Sequence, residues 1–212
     1  MNGVRFGNYH SYSDLNLILT SKEIGSPAVK KKQVEVEGAS VVLDYTEYFG
    51  EVKYSNRTLR FDFSTIVPQS QLLSLYSQIC DALQGQKVDI SLDADPDYIY
   101  RGRLDISSFT NEKNIGSISI ECDCEPFKYK ASDTVVTKAV SGTTSITLNN
   151  SRKRVVPEIT ATASMSIVFN GNTYNIGKGT YLIPAIELKE GTNTLTVTGT
   201  GNITFRYREG GL

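Results

Sequence analysis

The 212-residue chain has no tryptophan, one histidine and three cysteines, and each scarcity removes a class of chemistry. Without Trp, a sugar-binding module loses its usual flat platform. With His10 as the only imidazole, a zinc site that needs four ligands has no His pair to draw on. Cys80, Cys122 and Cys124 are odd in number and lack framework spacing, so free thiols are expected. A surplus of one charge is also missing: 22 Lys and Arg stand against 23 Asp and Glu, a net charge of −1. A nucleic-acid binder usually carries a basic surplus. The triplets Lys30-Lys31-Lys32 and Arg152-Lys153-Arg154 read as solvated strand ends or loops, so no sequence-specific nucleic acid is expected. No stretch approaches the ~20 apolar residues that cross a bilayer, and no membrane insertion is expected. The opening Met1-Asn2-Gly3-Val4-Arg5-Phe6 lacks the apolar stretch of a signal peptide, so the expected place of assembly is a cytoplasm.

What is present is period-two alternation. Leu15, Leu17 and Leu19 alternate with Asn16, Ile18 and Thr20. Leu59, Phe61 and Phe63 alternate with Arg60 and Asp62, and Val88, Ile90 and Leu92 with Asp89 and Ser91. Such sets place one apolar face on a core and leave the other to solvent. The charged stretch Val29 to Glu37 reads as a further long strand that serves as a sheet edge. One segment breaks the rhythm: Leu72, Leu75, Tyr76, Ile79 and Leu83 fall on one helical face, which predicts a helix over Gln69 to Gln84. Pro68 suits its first turn, Ser64 or Thr65 its cap, and Gly85 the left-handed position beyond its end.

After Lys130 the composition turns to Thr, Ser, Gly and Asn, and no helical period returns. Asn170-Gly171 between Met165–Phe169 and Asn172–Ile176 predicts a type I′ hairpin. Gly199-Thr200-Gly201-Asn202 predicts a second turn, between Leu195–Val197 and Ile203–Tyr207. Pro157 and Pro184 point to edge strands or bulges. The expected fold class is mainly β: an α+β domain with one helix over residues 1–130, then a small all-β sandwich over residues 131–212.

Constellations that carry chemistry fail one by one. His10 lies beside Ser11 and near Asp14, but sequence neighbours rarely form a triad. Cys122 and Cys124 share the parity of Ile118 and Ile120, which puts both sulfurs on a core face. Asp93-Ala94-Asp95-Pro96-Asp97 opens like a calcium loop, yet Tyr98 and Leu104 occupy the positions that need Gly and Glu, so a turn is expected. Gly171 and Gly177-Lys178-Gly179 miss the spacing and the final hydroxyl of a phosphate loop. No catalytic, cofactor or metal residue is assigned, and no enzyme is expected.

Several stretches, taken in order, resemble the siphophage distal tail proteins. Val34-Glu35-Val36-Glu37-Gly38 is followed by Leu43-Asp44-Tyr45-Thr46-Glu47-Tyr48-Phe49-Gly50, then by Tyr54-Ser55-Asn56-Arg57-Thr58-Leu59-Arg60-Phe61. The opening Val4-Arg5-Phe6-Gly7 with Ser13-Asp14-Leu15 is similar to the family's start. So are Asp95-Pro96 leading to Tyr100-Arg101-Gly102-Arg103, and Glu125-Pro126-Phe127-Lys128-Tyr129. Val156-Pro157-Glu158-Ile159 and Glu190-Gly191-Thr192-Asn193-Thr194-Leu195 are similar to the family's second domain, a galectin-like or carbohydrate-module-like sandwich.

The resemblance implies a β-barrel-like first domain that closes into a hexameric ring in a phage tail. Such a ring continues the tail tube and holds the tail-tip protein, and in some members receptor-binding proteins, in the host-adsorption apparatus of the virion. The competing readings are a tail tube or other baseplate hub protein, and a carbohydrate-binding or receptor-binding module.

Overall fold

The computed structural model describes residues 2–38, 40–48, 50–112 and 115–212; Met1 and Phe49, which belong to stretches quoted above, lie outside the described residues. The protein is mainly β with one helix, and it divides into two compact units, 1–128 with Leu212 and 129–211.

The first unit contains β1 (Val4–Phe6), β2 (Tyr9–His10), β3 (Ile18–Ile24), β4 (Gln33–Val34), β5 (Leu43–Asp44) and β6 (Arg57–Ile66). The helix α1 (Gln69–Leu83) follows, then β7 (Lys87–Leu92), β8 (Asp95–Glu112) and β9 (Ile115–Cys124). Seven strands of this unit pair in the order β2-β1-β7-β8-β9-β6-β3, each antiparallel to its neighbours. Register follows the apolar parity: Leu59, Phe61 and Phe63 of β6 lie opposite Cys122, Ile120 and Ile118 of β9. Phe6 meets Phe61 and Phe63 edge-on at 5.8 and 6.1 Å, the geometry that ring quadrupoles favour.

Leu72, Ile79 and Leu83 of the helix are buried. Leu75 packs against the core but is half-buried, as is Tyr76, so the fully buried face is narrower than the spacing predicts. Tyr76 stacks on Phe109 at 4.5 Å instead of entering the core. Gly85 takes φ +72° beyond the helix end, as its lack of Cβ permits. The start differs from expectation. Ser64 and Thr65 are locked in the β6–β9 ladder opposite Ser117 and Gly116, so neither caps the helix. Pro68 itself is the N-cap residue, without a side-chain cap bond.

Two more expectations are corrected here. Asn16 adopts φ +53°, so Leu15 and Leu17 are buried ahead of β3 instead of lying in a strand. Val29 to Glu37 is no long strand: only Gln33–Val34 pairs, with Leu43–Asp44, and Val29 bridges Tyr54.

The second unit contains the rest of β10 (Lys128–Lys130), with β11 (Thr134–Asn150), β12 (Glu158–Ala161), β13 (Met165–Phe169), β14 (Asn172–Ile176), β15 (Gly179–Leu182), β16 (Gly191–Tyr207) and β17 (Gly210–Gly211). Its six-stranded sheet runs β14-β13-β16-β12-β15, with β11 along the other edge of β16. The Asn170-Gly171 hairpin forms as predicted, with φ of +49° and +79°. The second predicted turn does not exist. Residues 191–207 are one continuous strand, paired with β11 over its whole length. On its opposite edge, β16 pairs first with β13, up to Gly199, and then with β12, from Ile203. Gly199 and Gly201 have φ of +157° and +136°, so the glycines ease the strand from one partner to the next. Pro157 precedes β12, which is an interior strand, and Pro184 follows β15.

Glu209 is the buried carboxylate of this unit. Its Oε1 accepts from Lys130 Nζ at 2.6 Å and Thr134 Oγ1 at 2.7 Å, and its Oε2 from Ser151 Oγ at 2.7 Å. Burial opposes its charge, but these hydrogen bonds and the Lys130 charge outweigh that, and its pKa falls below the ordinary value.

Candidate functional site

Between β3 and β6 the chain leaves the sheet as an arm. Its root is fixed by backbone geometry: Gly25 N–H donates to Thr58 O at 3.0 Å, and a Cβ on Gly25 would stand 2.6 Å from that same oxygen. The buried Arg57 donates from Nε to Gly25 O at 2.7 Å, and its guanidinium lies 5.4 Å from the Tyr100 ring centroid. Further out, Lys30 N–H donates to Lys53 O, and Tyr45 N–H donates to Lys32 O, both at 2.8 Å.

The β4–β5 ribbon at the arm's centre is only two residues per strand. A two-stranded ribbon is marginal without a face to pack on. Asp44 supplies local order: its Oδ1 accepts from Thr46 N–H at 2.8 Å, and the Thr46 hydrogen bonds hold its carboxyl below the usual carboxylate range.

The arm's apolar side chains are turned to solvent. Val29, Val34, Val36, Val41, Val42, Leu43, Tyr45 and Tyr48 are half of the sixteen large exposed hydrophobics among the described residues. Val41 is 70% and Tyr48 72% exposed. Scattered exposed apolar residues are ordinary, but a contiguous group marks an interaction surface. A surface hollow of about 400 Å³, lined by Glu35, Val36, Glu37, Ser40, Val41 and Val42, lies within it. Alternation alone hid this surface, since it reads exposed valines as a strand's core face. The visible signal was the unbroken Val41-Val42-Leu43 run between Gly38 and Gly50.

The residues weighed for chemistry lie elsewhere and are engaged locally. His10 Nε2 is 3.1 Å from Asp93 Oδ2, and Nδ1 accepts from Tyr12 N–H and Ser13 N–H at 3.3 Å. The ring is therefore pinned on both nitrogens. Ser11 is buried, with Oγ accepting from Val4 N–H at 3.1 Å. Asp93 and Ala94 form the turn between β7 and β8, and Asp93 also accepts from Gly3 N–H. Burial works against the Asp93 charge, yet hydrogen bonds from His10 and Gly3 lower its pKa. Cys122 and Cys124 are buried on the core side. Burial pushes both thiols up, Cys124 to about 12, which keeps the nucleophilic thiolate scarce. Among the described residues, no three His, Cys, Asp or Glu side chains gather as a metal site. No described helix is long and apolar enough to cross a membrane.

A helix-closed antiparallel sheet followed by a helix-free β unit also occurs in a solved phage protein. The chain is similar in structure to SPP1 Dit (gp 19.1), described as a paradigm of the hub adsorption apparatus in phages that infect Gram-positive hosts. The TM-score is 0.74 with 13% sequence identity, over 98% of this chain and 99% of that chain. No family model matches the sequence, and no curated protein matches it.

Proposed function

We propose that the protein is a structural, non-enzymatic subunit of a phage tail, a distal tail protein that joins the tube to the tip and adsorption apparatus. In this reading residues 1–130 close a hexameric ring and residues 131–212 form an appendage. The subunit is assembled in the host cytoplasm and ends in the virion. The observation that supports the reading is the arm: a rooted extension with a run of exposed apolar side chains, Val41, Val42 and Leu43 among them. A ring subunit needs two different surfaces, one for each neighbour, because rotational rings use head-to-tail contacts. An arm of this kind supplies one of them, and its cover is the neighbouring copy. Stable contacts bury on the order of 1,200 Å² or more in total, which an arm of this length helps to provide.

Mass by light scattering and negative-stain imaging test the reading on the full chain. The expected result is a particle containing six-fold rings with a central hole. Val41→Ser with Tyr48→Ser removes two exposed anchors, each contributing about 1.5–3 kcal/mol when buried. Ring association should weaken by about a hundredfold or more. A chain without rings at any concentration, or rings indifferent to both substitutions, would sink the proposal.

A further inference from the structure

The second unit leaves one strand edge open. Sheet edges are ordinarily protected by shortness, bulges, charge or proline, since an open edge templates pairing with another chain. Among the described residues, the outer strands of the other edges follow that rule. β2 is two residues long, β14 five and β15 four, while β3 carries a bulge between Leu19 and Ser21 and the charged Lys22 and Glu23. β11 does not. It is seventeen residues long, pairs with β16 without a register shift, and contains no proline and one charge, Lys138. Among the described residues, no strand pairs with its other edge.

We propose that this edge pairs antiparallel with β11 of a second copy, about a two-fold axis through Gly142. The strand itself sets the requirement for its neighbour. Gly142 has φ +81° in mid-strand, and the strand that lies beside it, β16, places Gly199 directly opposite. A second β11 offers the same match, glycine against glycine. Gly142 is also the middle residue of Thr134–Asn150, so this register overlaps the two strands completely.

The side-chain pairs fit as well. Antiparallel pairing keeps parity, so the outward Thr137 faces Thr147, and Ser141 faces Thr143. Cross-strand hydroxyl pairs of this kind already occur within the sheet, Thr137 with Thr204 at 2.9 Å and Thr143 with Thr198 at 3.1 Å. Lys138 faces Ile146, so no like charges meet. The contact is isologous and therefore distinct from the head-to-tail contacts of a ring. It joins copies two by two, whatever else the first unit assembles.

The test compares two variants of the full chain by light scattering, with circular dichroism to follow the fold. T137K/T147K sets lysine against lysine across the axis, whereas T137K/T147E sets lysine against glutamate. The wild type should contain an even number of chains, T137K/T147K should have half that mass, and T137K/T147E should recover it. Should either variant misfold, the same two substitutions at the Ala139–Ser145 pair give the same reading. A wild-type mass unchanged in T137K/T147K overturns the pairing, as does an equal loss in T137K/T147E or a wild type that stays monomeric. The two proposals separate cleanly. Six-fold rings indifferent to T137K/T147K leave the ring reading standing, and a ringless dimer that T137K/T147K splits leaves the β11 pairing standing.

Discussion

The two units close their cores by different means. In the first, the sheet has one face sealed by a separate element, α1, and the aromatic cluster of Phe6, Phe61 and Phe63 fills the space beneath. In the second there is no helix, and the core of Ile146, Leu148, Ile159, Ile167, Leu195, Val197, Ile203 and Phe205 forms among strands alone. There β16 serves as the common seam, gathering β11 on one edge and β13 then β12 on the other. The first solution depends on packing by a few helix side chains. The second depends on backbone freedom at a few glycines. Substitutions of the same size should therefore hurt different residue types in the two units.

The largest expected effect lies under the helix. Ile79 is fully buried, and Ile79→Ala should cost about 2–5 kcal/mol through lost transfer energy and the cavity left behind. Leu75, on the same predicted face, is only half-buried, and Leu75→Ala should cost about 1 kcal/mol. Urea unfolding of the two variants measures the contrast. Equal losses would mean that the helix seals the sheet along its whole predicted stripe, and the narrow contact described above would be wrong.

How much of this could be read from the sequence depends on how local the deciding interaction is. The Asn170-Gly171 hairpin and the Gly85 helix stop were legible because each is settled by the φ preference of one or two residues. The helix start was not, because Ser64 and Thr65 are good caps in isolation but are held by a strand some fifty residues away. Gly199 to Asn202 has the composition of a turn. Only the distant β11, which sets Gly142 opposite Gly199 and Ser141 opposite Thr200, shows that the chain runs straight on. The arm was missed for a related reason: alternation reports which residues share a face, and says nothing of whether that face has cover.

A middle-sized effect tests the glycine side of the comparison. Where β16 passes from β13 to β12, Asn202 N–H donates to Thr162 Oγ1 at 2.8 Å, and Thr162 N–H donates to Asn202 O at 3.0 Å. A Cβ on Gly201 would stand 2.7 Å from that same Thr162 oxygen, on a backbone at φ +136°. Gly201→Ala should cost about 1–3 kcal/mol, from backbone strain and displacement of Thr162. Thr200→Ala, one residue away and exposed, should cost less than about 0.5 kcal/mol. If the two variants melt alike, the handover between partners does not depend on glycine.

The smallest effect concerns charge, which the second unit buries at Glu209. The folded carboxyl has a lowered pKa, because hydrogen bonds from Lys130, Thr134 and Ser151 overcome the cost of burial. A depressed folded pKa means that the unfolded chain binds the proton more readily. The stabilisation is therefore complete above the ordinary value of 4.5 and is lost as pH falls through the lower folded value. Glu209→Gln keeps an acceptor for Thr134 but leaves Lys130 without its counter-charge. Lys130 is 40% exposed, so water offsets part of that loss, and the cost at pH 7 should be about 1 kcal/mol. As pH falls through the lowered folded pKa, the difference between wild type and variant should shrink towards zero, since both then carry a neutral side chain. The chain has no Trp, so far-ultraviolet circular dichroism is the natural signal for urea unfolding at neutral pH and in acid. A gap that persists undiminished in acid would assign the loss to hydrogen-bond geometry alone. The second unit would then resemble the first in owing its stability to packing and not to a buried charge.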